Sequence, residues 1–363
     1  MTARATVALF DPQRLEIARK CNALRRSEVA SLIGISPSAV TQLEAGQTKP
    51  SSGTLSKIAL ALGFPVEFFL DDGRRSPVKD HGSAFFRSLR ATRQLDRDRA
   101  AARAFLVSEL LETIERHVRL PRVNLSRDLY LSQERVPREA IEEKAVALRR
   151  MWNVPDGPIA NVVRLLESQG IVVTHCIVDC PEVSSFSRFF GTRPIVVLKE
   201  ERDDVARLRS DAAHELGHLV LHEDVEAGNH LIENQAQSFA ASFLMPADQI
   251  GVLLPRSFDF DRYKQLKRAW GVSMQFLLYR AKELGRMSDS TYRRAMMVFS
   301  KHGWRTREPF PLDVREEAIL IAKAFEVATS AGHSQGDILD EARLPLPFLT
   351  NVTPAARQLE VSV

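Results

Sequence analysis

His214-Glu215-Leu216-Gly217-His218 holds the residues of this chain whose types and spacing best suit chemistry. Two histidines four apart lie about one helical turn from each other, so on a helix both imidazoles can reach one metal ion. The glutamate beside the first histidine then points toward the open position of that metal, where it can take a proton from bound water. The chemistry implied is peptide-bond hydrolysis at zinc. A five-residue match can arise by chance, so the flanking elements must support it.

They do. Before the motif, Pro194-Ile195-Val196-Val197-Leu198 is an apolar run that predicts a buried strand, followed by a charged segment from Lys199 to Arg209. A strand beside an active-site helix can hold an extended peptide through its backbone. Beyond the motif, Leu219, Val220 and Leu221 carry the helix to His222. Glu233 follows, fifteen residues past His218, opening a segment with apolar residues at Ala236, Phe239, Ala240, Phe243 and Leu244 and a stop at Pro246. Glu233 lies about one turn before Ala236 and shares its face. If that face meets the core, the helix presents one carboxylate toward the motif, giving a site of two histidines and one glutamate. His222 continues the histidine face but lies eight residues past His214, too far along the axis to share the ion easily, so it reads as a structural or supporting residue.

Residues 171 to 255, and the HELGH and EnqAqsFAasFLMP segments above all, resemble the ImmA/IrrE family of zinc metallopeptidases. The resemblance implies a gluzincin-like fold, Zn2+ held by His214, His218 and Glu233, and Glu215 as general base. It also implies a protein substrate, a transcriptional repressor cleaved in response to stress or mobile-element signals. Where gluzincins often carry an aspartate that orients a histidine, this chain has Gln237, a weaker acceptor. An oxyanion stabiliser is not identified by the sequence; Tyr263 and Tyr279 are candidates.

Near the start of the chain, Leu24 to Ser36 predicts a short helix ending in a turn at Gly34. A second helix follows from Pro37, with Ser36 as its N-cap and proline at its first position. Helix, glycine turn, capped helix is the layout of a helix-turn-helix. Ala30, Ile35, Val40 and Leu43 would pack the pair, leaving Ser38, Ala39, Thr41 and Gln42 outward, and Gln42 can contact adenine in the major groove. Residues 12 to 70, with GISPSAVTQLEAGQTKPS as their signature, resemble the lambda-repressor/Cro (XRE-type) domain. The resemblance places Arg26 where such domains usually have a glutamine on a phosphate.

The 363-residue chain as a whole is of ordinary composition, 44% hydrophobic and 26% charged, without an apolar run long enough for a membrane span or a signal-like start. Cys21, Cys176 and Cys180 do not make a disulfide framework and are expected as reduced thiols in the cytoplasm, with a redox switch the minor alternative. Residues 74 to 150 hold 18 Lys/Arg against 11 Asp/Glu, more than the chain's net charge of +4. They begin after a linker-like Gly73-Arg74-Arg75-Ser76-Pro77, include Phe85 to Arg90, and predict a long helix to about Arg119 whose arginines add phosphate contacts or form a solvated surface. Phe258 to Trp270 and Ser273 to Gly285 predict two helices, readable as a second DNA-binding unit, although Met274, Phe276, Leu277 and Leu278 favour packing. Residues 313 to 330 predict another helix, and the tail beyond Pro345 an extended segment.

The chain is therefore expected to be multidomain and mainly α: an N-terminal all-α helix-turn-helix bundle (12–72), a basic, mostly helical connector (73–155), an α+β zincin-like metallopeptidase domain (156–300) and a helical C-terminal region (301–363). Its expected function is that of a DNA-binding transcription regulator carrying a zinc metallopeptidase. The alternative is a regulator whose zinc domain is a non-catalytic sensor or scaffold. Expected partners are double-stranded DNA, a protein substrate and a second copy of the chain, because a single helix-turn-helix reads only a half-site; no membrane is expected.

Overall fold

Asp11 and Pro12 start the first helix. The fixed φ of proline suits the first turn, and the Asp11 carboxylate accepts the Gln13 N–H at 2.9 Å, so α1 runs Pro12–Cys21. The computed structural model describes residues 9–71, 73, 93–131, 135–176, 185–199, 204–222 and 230–352. Within them, α2 (Arg26–Ile33) ends at Gly34, whose φ of 72° is the left-handed turn the sequence called for. Ser36 caps α3 (Pro37–Glu44) by accepting the Ala39 N–H, and α4 (Ser52–Leu62) follows. Val29, Ala30, Val40, Leu43, Leu55, Ile58 and Phe68 are buried between these helices, so the predicted face of the helix pair is the packed one. A stretch assigned from sequence to the basic connector forms α5 (Gln94–Ile114), whose Leu106, Leu110, Leu111 and Ile114 are buried. Arg14 locks α1 to α5: its buried guanidinium makes a bidentate pair with Glu109 at 2.5 and 2.6 Å and lies over the rings of Phe68 and Phe105. Residues 74–77 of the expected linker, Phe85 to Arg90 and Cys180 lie outside the described residues.

A second body begins with α6 (Arg138–Met151) and α7 (Val162–Ser168). Three strands follow, β1 (Val172–Cys176), β2 (Phe186–Phe190) and β3 (Arg193–Lys199), in the order β1-β3-β2. Central β3 is buried from Pro194 to Leu198, as its unbroken apolar run predicts. β2 pairs with it antiparallel from Phe186↔Val197 to Phe190↔Arg193, leaving a two-residue hairpin with Gly191 at φ 57°. Next come α8 (Val205–Leu221), carrying the histidine motif, and α9 (His230–Leu244), carrying Glu233. A short α10 (Ala247–Ile250) leads to α11 (Phe260–Trp270), α12 (Met274–Glu283) and α13 (Asp289–Lys301). Met274, Phe276, Leu277 and Leu278 are buried, so of the two sequence readings of this helix pair, packing is the observed one.

Three buried or half-buried carboxylates pair polar groups inside this body. Glu142 of α6 accepts from Ser242 at 2.6 Å, Arg280 at 2.5 Å and the Ala247 N–H at 2.8 Å, joining α6, α9 and α12. The irregular segment after α13 supplies two buried carboxylates. Glu308 accepts the Met274 and Gln275 N–H groups at the start of α12 and pairs with Lys267. Glu316 accepts the Val162 and Val163 N–H groups at the start of α7 and pairs with Arg209 of α8. Both place a negative charge where a helix presents unsatisfied N–H groups.

Helix α14 runs Leu320–Ser330, not from residue 313 as the sequence predicts, because the preceding residues are held irregular by Glu316. α15 (Gln335–Ala342) follows. Of the tail expected to be extended, the first part is instead α16 (Leu346–Val352), and residues 353–363 lie outside the described residues: Pro347 sits in the first turn, where no N–H is needed, and Phe348, Leu349 and Val352 are buried on one side. These helices belong with α1 to α5. Glu341 of α15 accepts from Arg116 at 2.9 Å and lies 2.7 Å from His117, and Arg343 donates to the carbonyls of Glu67 and Leu70. Accordingly the described residues of Met1–Leu120, His175–Ser184 and Ile319–Val363 form one compact unit, and those of Pro121–Thr174 and Ser185–Ala318 another. No helix among the described residues is long and apolar enough to cross a membrane.

Candidate metal centre

Small residues set the distance between α8 and α9. A Cβ added at Gly217 would lie 3.1 Å from the Cα and carbonyl oxygen of Ala236 and 3.2 Å from Phe239, so the two backbones nearly touch there. His214 and His218 flank Gly217 on α8, and Glu233 precedes Ala236 by one turn on α9. Close packing at Gly217 therefore carries the carboxylate to the imidazoles. The Nε2 atoms of His214 and His218 are 3.1 Å apart, and Glu233 Oε2 lies 3.3 Å from the first and 3.7 Å from the second. Among the described residues this is the group of His, Cys, Asp and Glu side chains that converges as a metal site would. A tetrahedral zinc with bonds of about 2.0–2.1 Å needs ligand atoms about 3.3–3.5 Å apart. The three observed separations bracket that value.

The surrounding chemistry also fits a cation. Glu233 Oε1 is buried without a hydrogen-bond partner among the described residues. Hydrogen bonds from His214 and then His218 hold the Glu233 carboxyl well below the usual carboxylate range. Burial pulls the His214 pKa down, but the hydrogen bond to Glu233 and the charge of Glu215 outweigh it and the net direction is up. The ligand side chains keep between a fifth and a third of their surface, which leaves access for a substrate.

Glu215 is buried, and Ser187 of edge strand β2 reaches it: the hydroxyl lies 2.8 Å from Oε2 and 3.1 Å from the Glu215 carbonyl oxygen. His222 lies 2.9 Å from the Gln235 Oε1, and burial brings its pKa down to about 4, so it is a neutral, structurally held ring. Neither tyrosine offered as an oxyanion stabiliser joins this group. Tyr263 is fully buried with its hydroxyl unpartnered among the described residues, and the Tyr279 hydroxyl faces Ser238 and Glu283. Gln237 is half-buried.

In the other unit, Ser38, Thr41 and Gln42 are exposed on α3 and Ala39 is half-buried. Ser36 and Ser38 hydroxyls are 2.8 Å apart, and Thr41 donates to the Pro37 carbonyl. Arg26 starts α2 as expected, but its Nε donates to Glu44 at 2.6 Å, and Glu44 also accepts from Arg19. That clamp ties α1, α2 and the end of α3 together.

Residues 166–282 match the IrrE N-terminal-like domain of the M78 peptidase family, and residues 15–69 match the helix-turn-helix family. The chain joins a DNA-binding helix-turn-helix domain to an IrrE N-terminal-like, peptidase-family domain. The matched IrrE-like span contains the histidine motif, Glu233 and Ser187. No curated protein is significantly similar to the chain in sequence. The solved structure of ComR from Streptococcus suis aligns with 97% of this chain and 90% of its own at 12% identity, with a TM-score of 0.16, too loose a superposition to inform the fold.

Gly217 gives the first test of this geometry. Gly217→Ala forces a methyl group into the α8–α9 contact and is expected to destabilise the IrrE-like domain by about 1–3 kcal/mol. Zinc affinity should fall with it, since the helices cannot part without moving Glu233. Titration with zinc and thermal unfolding check this; wild-type affinity and stability in the variant would show that the contact has slack.

Proposed function

We propose that the chain is a transcription regulator, acting as a homodimer in the cytoplasm on duplex DNA, whose IrrE-like domain is a zinc-dependent endopeptidase that cleaves a protein, a transcriptional repressor foremost. The observation that supports this best is the convergence of His214 Nε2, His218 Nε2 and Glu233 Oε2 beside a buried glutamate base. Zinc bound there would supply a Lewis acid that polarises the scissile carbonyl and acidifies water. Glu215 takes the proton from that water and hands it to the leaving amine. Ser187 positions the Glu215 carboxylate by engaging Oε2. Edge strand β2, whose outer side pairs with no strand among the described residues, would offer its backbone to an extended substrate.

Glu215→Gln keeps the size of the side chain but cannot accept the proton. It is expected to retain zinc and lose about a hundred- to ten-thousand-fold in cleavage rate. Mapping new protein N-termini in cells making the wild type or this variant tests it. Identical N-termini in both would remove the peptidase role and leave the domain as a sensor or scaffold.

On the DNA side, Gln42 is exposed on α3 and is the side chain we assign to base reading, with Ser38, Ala39 and Thr41 beside it and Arg26 and Ser36 toward the phosphates. Gln42→Ala is expected to lose about 1–3 kcal/mol of discrimination at one base pair. A gel shift on the DNA upstream of the chain's own gene, with matched and base-substituted duplexes, reads that loss. Unchanged discrimination would place base reading elsewhere.

A further inference from the structure

Helix α13 and the turn after it carry charge of one sign. From Ser290 to Arg307 there are five Lys/Arg and no Asp/Glu. Arg293, Arg294, Met297, Ser300 and Lys301 are all exposed, and their spacing puts them on one stripe of the helix. The opposite side is the packed one, with Ala295 and Phe299 buried. Arg305 and Arg307 extend the exposed charge into the turn, where His302 stacks on Trp304 with ring centroids 4.6 Å apart. None of the five cations has a carboxylate partner among the described residues. The neighbouring acids are engaged elsewhere: Asp289 pairs with Lys282, and Glu308 is buried against Lys267.

Such a surface repels itself unless an anion covers it. The buried cations of the second unit are paired, as with Arg280 and Lys267, and other exposed ones, such as Arg138, Arg150 and Arg256, are scattered, whereas α13 and its turn gather five exposed cations within fifteen residues and no acid. The helix-turn-helix domain of the same chain supplies a polyanion at high local concentration, the duplex it binds. We propose that the α13 stripe binds the phosphate backbone of duplex DNA, adding sequence-independent affinity from the IrrE-like body. Arginine and lysine heads on one helix face suit phosphate oxygens spaced along a strand, and contacts of this kind hold register without reading bases.

The test uses the full chain and a mixed-sequence duplex of about three helical turns, with binding followed by fluorescence anisotropy across a potassium chloride series. Each lost phosphate contact lowers the slope of log K against log salt by about 0.9, so Arg293→Gln/Arg294→Gln/Lys301→Gln should lower it by about 2–3. A charge-matched control, Arg138→Gln/Arg150→Gln/Arg256→Gln, changes exposed cations off α13 and should leave the slope within about half a unit. Gln42→Ala should reduce preference for the matched duplex while keeping the slope. All substituted residues are exposed, and unfolding temperatures near wild type confirm that the variants fold. A wild-type slope in the α13 triple variant, or an equal fall in the control, overturns the proposal; the first result would leave the stripe to an acidic protein partner.

Discussion

Glu316→Ala is expected to destabilise the IrrE-like unit by about 3–5 kcal/mol, the usual result of removing one partner from a buried ion pair. Glu316 is almost fully buried and performs two tasks with two oxygens. Oε2 accepts the N–H groups of Val162 and Val163, and Oε1 faces the Arg209 guanidinium. Alanine leaves both amides unsatisfied at the start of α7 and a cation buried inside α8. The carbonyls of Ile159 and Ala160, which also accept from Arg209, cannot neutralise that charge. Glu316→Gln keeps an acceptor without the charge and should fall between alanine and wild type. The exposed neighbour Glu317, whose contact with Arg315 is 3.9 Å, should tolerate alanine with a change under about 0.5 kcal/mol. Denaturant unfolding of the three variants measures the order; a loss below about 1 kcal/mol for Glu316→Ala would mean that α7 and α8 do not depend on this carboxylate.

Chelation should have the second large effect. A ligand that binds only the folded state stabilises it by about 4 kcal/mol when present at a thousand times its dissociation constant. Zinc gripped by His214, His218 and Glu233 would join α8 to α9, the two helices at the centre of this unit. Removing the ion with EDTA should therefore lower the unfolding temperature of the wild type by several degrees, and added zinc should restore it. Glu233→Ala should start near the chelated wild type and respond to neither treatment. Lower pH should mimic the chelator, because protonated imidazoles cannot hold the ion. An EDTA response of the same size in wild type and Glu233→Ala would place any bound zinc elsewhere.

Local signals made the main features legible in the sequence. The HExxH spacing, the apolar strand before it and the period of the Glu233 helix each depend on residues within a few turns of one another. Ser36 and Pro37 similarly mark the start of α3, and Gly34 the turn before it. What stayed hidden depends on distant partners. Ser187 is an ordinary strand residue until the sheet brings it to Glu215, 28 positions away. Glu316 lies 107 positions from Arg209, and nothing near it marks it as a helix cap. The return of α14 to α16 to the N-terminal helices is equally long-range, with Arg343 bonding 276 positions back to Glu67. Gly217 is a local sign of the same contact: a glycine inside a helix costs stability relative to alanine, and one between two ligands marks a close approach of backbones.

The most direct test is the zinc content of the purified full chain set against that of His214→Ala. Three ligand atoms meeting at distances a tetrahedral ion would impose predict close to one zinc per wild-type chain and close to none in the variant. Wild-type protein that takes up no zinc from excess, or a variant that carries as much as the wild type, would contradict the assignment of His214, His218 and Glu233 as its ligands.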